Sequence, residues 1–327
     1  MIRAGRYVPY AGIAVAVVAA YLAPTVTDRY QLFLLTWMAI YAVAGSGLVV
    51  LIGWTGQIAV AQAGLFGVGA YGTTWLVHLG APWPVAALGA SLVGTALGVL
   101  IGLPAIRLRG FYLAICTLAF GELLHQVFVQ AVPITHGPRG LAVDPITVGD
   151  LDATTLIWYL SFGTLALVLA VLVPLGKSRL GRALKAVRDI EVATGSLGLS
   201  AANYKLIAFA ISAFLGGLGG ALFSQFITYL TPDIFELPLM VLFLVQVLGG
   251  GVARLSGAVI GAVFVVGIRE VIQALSTPLP QFQGSGQSLI FGLALLLVVG
   301  FLPNGFASLP GRLLAFRPSS ALRAADK

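Results

Sequence analysis

The chain has 327 residues, 59% of them hydrophobic and only 9% charged. Soluble domains carry about 25% charged residues, so this composition excludes an ordinary water-exposed fold and points to a chain immersed in lipid. The net charge of +7 does not indicate nucleic acid, because the basic residues sit in short segments between apolar runs, where they orient membrane spans.

A bilayer core about 30 Å thick is crossed by roughly 20 apolar residues in helical form. Such runs recur along residues 1–327 and predict one transmembrane domain, an all-α polytopic membrane bundle of about ten helices. The expected spans are Val8–Ala23, Tyr30–Ile52, Ile58–Leu79, Pro84–Pro104, Gly110–Val132, Thr154–Leu175, Tyr204–Tyr229, Leu237–Ala253, Leu255–Leu275 and Ser288–Leu302. The first follows Arg3 and Arg6 in the manner of a signal peptide. No small-x-small cleavage site precedes Pro24 and Thr25, so it is expected to stay as an uncleaved helix. With the N-terminus inside, cytoplasmic segments hold fifteen Lys and Arg, external segments hold only Arg29 and Arg139, and Arg269 falls within a span. That asymmetry places both termini in the cytoplasm. Two five-helix halves would then run in opposite senses, which allows an inverted repeat, although none is visible residue by residue.

Polar residues inside the spans are the candidates for chemistry. Gln57 and Gln62 open the third span in a Gly-rich, poorly helical stretch. Irregular backbone at membrane depth survives only against protein or a water-filled cavity, so helix packing and a solute path are both open readings. Gly94, Gly98 and Gly102 recur every four residues, as do Gly216 and Gly220, and Gly257 and Gly261. That spacing marks close helix contacts. Cys116 stands alone in an apolar run, which excludes a disulfide within the chain. Glu122 lies near the middle of the fifth span, where an unpaired carboxylate is costly and turns toward the bundle interior or water. His125 and Gln126 follow at i+3 and i+4 on the same face. This group reads as a structural polar cluster, as part of a translocation path, or as a proton relay. Arg269 and Glu270, adjacent near the outer end of the ninth span, are expected to be interfacial or paired across helices rather than catalytic.

Two connections stand out. Residues 133–153 form an external loop punctuated by Gly, Pro and Asp. Residues 176–203 form a cytoplasmic loop in which Leu180, Leu184, Val187 and Ile190 recur at helical spacing, with Arg179, Arg182, Lys185 and Arg188 mostly off that stripe. A basic amphipathic helix of this kind lies on anionic headgroups or docks in a groove on a cytoplasmic protein. Residues 303–327 make a cytoplasmic tail.

No catalytic or metal site is expected. Gly176-Lys177-Ser178 resembles the end of a phosphate-binding loop, but Val171 occupies the required Gly position. No second His or Cys has ligand spacing with His78, His125 or His136, and no Ser stands in a nucleophile elbow.

Gly181-Arg182-Ala183-Leu184-Lys185-Ala186-Val187-Arg188-Asp189, followed by Glu191, Ala193, Leu197-Gly198 and Tyr204-Lys205-Leu206, resembles the cytoplasmic coupling region of the branched-chain amino acid permease family, LivM type. Further blocks agree: Gly56-Gln57 with Gln62 to Tyr71, Gly102 to Gly110, Tyr112 to Glu122, Val247 to Gly250, and Pro303 to Phe306. Ile58 to Ala61, Thr135 to Gly140 and His125 depart from the family pattern and bear on the substrate.

The resemblance implies a permease subunit of an ATP-binding cassette importer in the bacterial cytoplasmic (inner) membrane. Its solute would be a branched-chain amino acid, another amino acid, urea or a short amide. The implied partners are a homologous second permease subunit, two ATP-binding subunits, an extracytoplasmic solute-binding protein and membrane lipid, with no nucleic acid. ATP is expected on the ATP-binding subunits and no cofactor in this chain. Gln57, Gln62, Glu122 and Gln126 are the candidates for the path. Arg188, Asp189, Glu191, Gly195, Leu197 and Gly198 are the candidates for ATPase coupling. The competing reading is a proton- or ion-coupled secondary transporter that uses Glu122 and His125. An enzyme is not expected.

Overall fold

The computed structural model describes residues 24, 27–108, 110–146, 152–189, 200–252, 254–276 and 292. Nine helices of more than ten residues make up most of the described chain: α1 (Arg29–Leu48), α2 (Gln62–His78), α3 (Trp83–Ala105), α4 (Phe111–Gln130), α5 (Ala153–Leu175), α6 (Arg179–Asp189), α7 (Ala201–Phe226), α8 (Leu237–Gly250) and α9 (Ser256–Ser276). Among the described residues, seven helical segments are long and apolar enough to cross a membrane. The chain is therefore an all-α, multi-pass membrane bundle. The expected first span, and the tenth apart from Gly292, lie outside the described residues.

α7 is the hub, packed along α1, α2 and α3, while α1 also meets α5 and α9. Between apolar helices in lipid there is little hydrophobic drive, so association relies on close van der Waals packing at small residues. The α2–α7 seam is an extreme of this. A β-carbon on Gly69 would overlap the Gly217 carbonyl, and one on Gly220 would overlap the Phe66 carbonyl. Beside the seam, Phe66 packs against Phe223 and Phe243 at centroid separations of 5.1 and 5.3 Å, and this aromatic cluster closes the core between α1, α2, α7 and α8.

The third span differs from its sequence-based placement. α1 continues into a π-helical turn at Val49–Trp54, and Gly56, at φ +71°, reverses the chain. Helix resumes only at Gln62, four residues later than apolarity suggests. The intervening backbone is held by other elements, as when the Val60 N–H donates to the Thr117 hydroxyl at 3.0 Å. Gln62 is accordingly helical and not in the irregular stretch.

The external connection also departs from a purely turn-rich loop. It contains one helical turn at Val132–Thr135, a 3-10 turn at Gly137–Arg139, and a strand β1 (Leu141–Ala142). That strand pairs antiparallel with β2 (Tyr229–Leu230), matching Leu141 with Leu230. This ribbon ties the segment after α4 to the segment after α7 on one end of the bundle.

Candidate functional site

Gln62 is buried and its hydrogen bonds are taken. Its Nε2 donates to the Ala44 carbonyl at 3.0 Å and the Ser212 carbonyl at 3.3 Å, and its Oε1 accepts from the Ser212 hydroxyl at 3.1 Å. This clamp joins α1, α2 and α7 and leaves no free amide group for a solute in this conformation. Gln57 is the opposite case. It is 4% exposed, and neither end of its amide finds a partner among the described residues. A buried amide without a partner costs about 1–3 kcal/mol, so Gln57 is the polar group in the irregular 56–61 stretch with bonding capacity to offer.

Glu122 and Gln126 sit together on α4, with the Gln126 amide donating to the Glu122 carboxylate at 3.4 Å. They do not point into the core of the chain. The Glu122 side chain is 45% exposed, on an outer face shared with Leu123 and Val127. His125 turns the other way and is 8% exposed. Its Nδ1 stands 3.5 Å from Glu122 and its Nε2 stands 3.7 Å from Glu236, in the segment before α8. Sequence spacing placed the three residues on one face. The helix instead divides them between its outer side and its packed side, because the step to His125 falls about 60° to one side of Glu122 and the step to Gln126 about 40° to the other, which turns only His125 toward Glu236.

α6 realises the amphipathic pattern: Gly181, Ala183, Leu184 and Val187 are buried. It packs on the reversal that follows α1. The Arg188 Nη1 donates to the Gly53 carbonyl at 2.6 Å and its Nε to Asp189 at 2.9 Å. Lys185 donates to the Gly176 carbonyl at 3.0 Å and stands 5.4 Å from the centre of the Trp54 ring. Glu191, Gly195, Leu197 and Gly198 lie outside the described residues. At the other end of the bundle, Glu270 accepts from the Tyr30 hydroxyl at 2.6 Å and Arg269 stacks over Trp37 at 4.8 Å, so this pair does bond across helices.

Sequence reasoning missed Gln246. It is fully buried in α8, and its Nε2 donates to the Tyr41 and Ala258 carbonyls at 2.9 and 3.2 Å, while its Oε1 has no partner among the described residues. A lone Gln in the apolar run Leu237–Gly250 was the available signal, by the same rule that singled out Glu122.

A family model described as "Branched-chain amino acid transport system / permease component" matches residues 30–299. The chain is 30% identical over 313 residues to the high-affinity branched-chain amino acid transport system permease protein LivM of Salmonella typhimurium, covering 86% of this chain and 72% of that protein. It is 29% identical to LivM of Escherichia coli over the same shares. It is also 26% identical to LivH of Salmonella typhimurium, over 83% of this chain and 92% of that one. No solved structure matches. The order of helices, the reversal after α1 and the basic helix α6 are thus carried by a chain that belongs to the family of branched-chain amino acid transport permease components.

Proposed function

We propose that this permease forms half of the translocation path of an ATP-binding cassette importer for branched-chain amino acids or a related small solute. The observation that carries the reading is the docking of α6 on the reversal after α1. A basic cytoplasmic helix is keyed by Arg188 to the Gly53 carbonyl, one loop away from the unpartnered amide of Gln57. Force applied to α6 therefore reaches irregular backbone at membrane depth directly. ATP binding would occur on two separate subunits that grip α6 and the segment 189–198, including Asp189, Glu191, Gly195, Leu197 and Gly198. An extracytoplasmic binding protein would deliver the solute.

The outer face of α4 supports a second permease subunit beside this one. Glu122 and Gln126 are too polar to face lipid tails, and a homologous partner would cover them and complete a path lined by both chains. Similarity to both LivM and LivH fits a pair of related subunits. Ten spans with an inverted repeat also fit the packing. α1 meets α9 as α7 meets α3, and α2 meets α3 as α8 meets α9. Each half then contributes one buried glutamine clamp, Gln62 and Gln246.

The chain would lie in the bacterial cytoplasmic membrane with both ends inside. Cysteine labelling from outside intact cells should reach Arg139→Cys, an exposed position in the 3-10 turn after α4, and not Gly195→Cys. Equal labelling of both would overturn the topology. For function, vesicles carrying the whole complex should accumulate leucine or another candidate solute only with internal ATP and external binding protein. Uptake by this chain alone, driven by a proton gradient, would instead favour the secondary-transport reading built on Glu122 and His125.

A further inference from the structure

We propose that His125, Asp233 and Glu236 form a site for a divalent transition-metal ion of the zinc class, bridging α4 to the segment that leads into α8. The ligating atoms of these three residues all lie within 4.8 Å of one another. Asp233 belongs to the 3-10 turn Pro232–Phe235, and Glu236 directly precedes α8. No spacing rule in the sequence could join them to His125, more than a hundred residues earlier.

The imidazole makes this more than an acidic cluster. His125 is more than nine-tenths buried, yet neither ring nitrogen makes a hydrogen bond among the described residues. Its Nε2 faces Glu236 at 3.7 Å, and its Nδ1 faces Glu122 at 3.5 Å. A ligating histidine typically offers one nitrogen to the metal while the other N–H donates to a carboxylate that fixes the ring. Here Glu122 stands where that orienting carboxylate belongs. Among the described residues, no Lys or Arg forms an ion pair with Glu122, Asp233 or Glu236. The three carboxylates crowd one imidazole without a basic side chain to offset them, and a dication would relieve that repulsion.

The donor set selects the ion. Magnesium and calcium take all-oxygen shells, whereas imidazole with carboxylates suits zinc and its neighbours in the first transition row. Zinc binds nitrogen and carboxylate oxygen at about 2.0–2.2 Å, so the donors must close by roughly an ångström. Asp233 is exposed and Glu236 only half-buried, which leaves both carboxylates room to do so. Three protein ligands leave a fourth position for water. Once bound, the ion would fix the distance between α4 and the start of α8. Binding by the chain does not depend on the transport assignment.

The test is zinc titration of the purified full chain in detergent, with size exclusion confirming that each variant is folded. The wild type should bind one Zn2+ per chain and show a higher thermal midpoint with it. Asp233→Asn changes an exposed side chain and should weaken binding at least tenfold without loss of fold. His125→Gln should abolish both binding and the midpoint shift. Glu122→Gln should weaken binding by a smaller factor. Co2+ should give visible ligand-field bands in the wild type that Zn2+ displaces. If the folded wild type takes up no stoichiometric Zn2+, or if Asp233→Asn and His125→Gln bind it as well as wild type, the cluster is an ion-pair network and the proposal is wrong.

Discussion

Gly220→Leu is expected to eliminate most folded protein. The new side chain would have to enter the space held by the Phe66 carbonyl, where the obstacle is backbone and cannot rotate away. Overpacking a core typically costs 1–3 kcal/mol and more where nothing yields, so a loss of about 3 kcal/mol or more is expected. α7 would be pushed off α2 along a seam that also carries the Gln62–Ser212 bond. Gly163→Leu on α5 is the control, since no described residue lies within 4 Å of a β-carbon there. Size exclusion and thermal midpoints in detergent should show Gly220→Leu collapsed and Gly163→Leu near wild type. A monodisperse Gly220→Leu with an unchanged midpoint would mean that the α2–α7 seam is not as close as described.

Arg188→Glu should give the opposite phenotype, an intact bundle that transports poorly. Arg188 donates a charge-assisted bond to the Gly53 carbonyl, and its stem lies where a β-carbon on Gly56 would stand. Hydrogen bonds to charged groups contribute about 1.5–3 kcal/mol, and a carboxylate in that place would repel the carbonyl. Because α6 still buries Leu184 and Val187, it should remain helical but lose its key to the reversal. An equilibrium between conformations shifts only as far as a partner grips one of them more tightly than the other. A loosened α6 therefore transmits less of that difference. ATP-driven uptake should fall about tenfold or more while ATP hydrolysis by the complex continues, and Arg188→Lys should recover part of it. Wild-type uptake per ATP hydrolysed in Arg188→Glu would remove α6 from the coupling route.

Seven of the spans were legible because lipid imposes a long apolar run on each crossing, and α6 was legible because its stripe from Leu180 to Val187 repeats at helical spacing. Failures occurred where a polar side chain is placed by tertiary contact. Gln62 looked like part of an irregular stretch, yet it is helical and locked by Ser212, 150 residues away. Glu122, expected to turn toward the bundle interior or water, lies half-exposed on the outer face of α4. Asp233 and Glu236 carry no local signal of their own, and only the fold brings His125 to them. In each case the deciding neighbour is distant in sequence, so local pattern carried no trace of it.

The π turn at Val49–Trp54 also bears on how the gene can vary. A π turn closes its hydrogen bonds over one residue more than an α turn, so this segment houses a surplus residue. Loss of one codon within 49–54 could be absorbed by a return to α-helix, leaving α1 and Gly56 facing as before. The same loss within 39–48 has no such slack. At 3.6 residues per turn, it would rotate everything on one side of the gap by about 100° and swing Tyr41 or Ala44 away from the glutamines that grip them. Length variation among natural relatives should therefore be tolerated at the π turn and purged from the helix that precedes it.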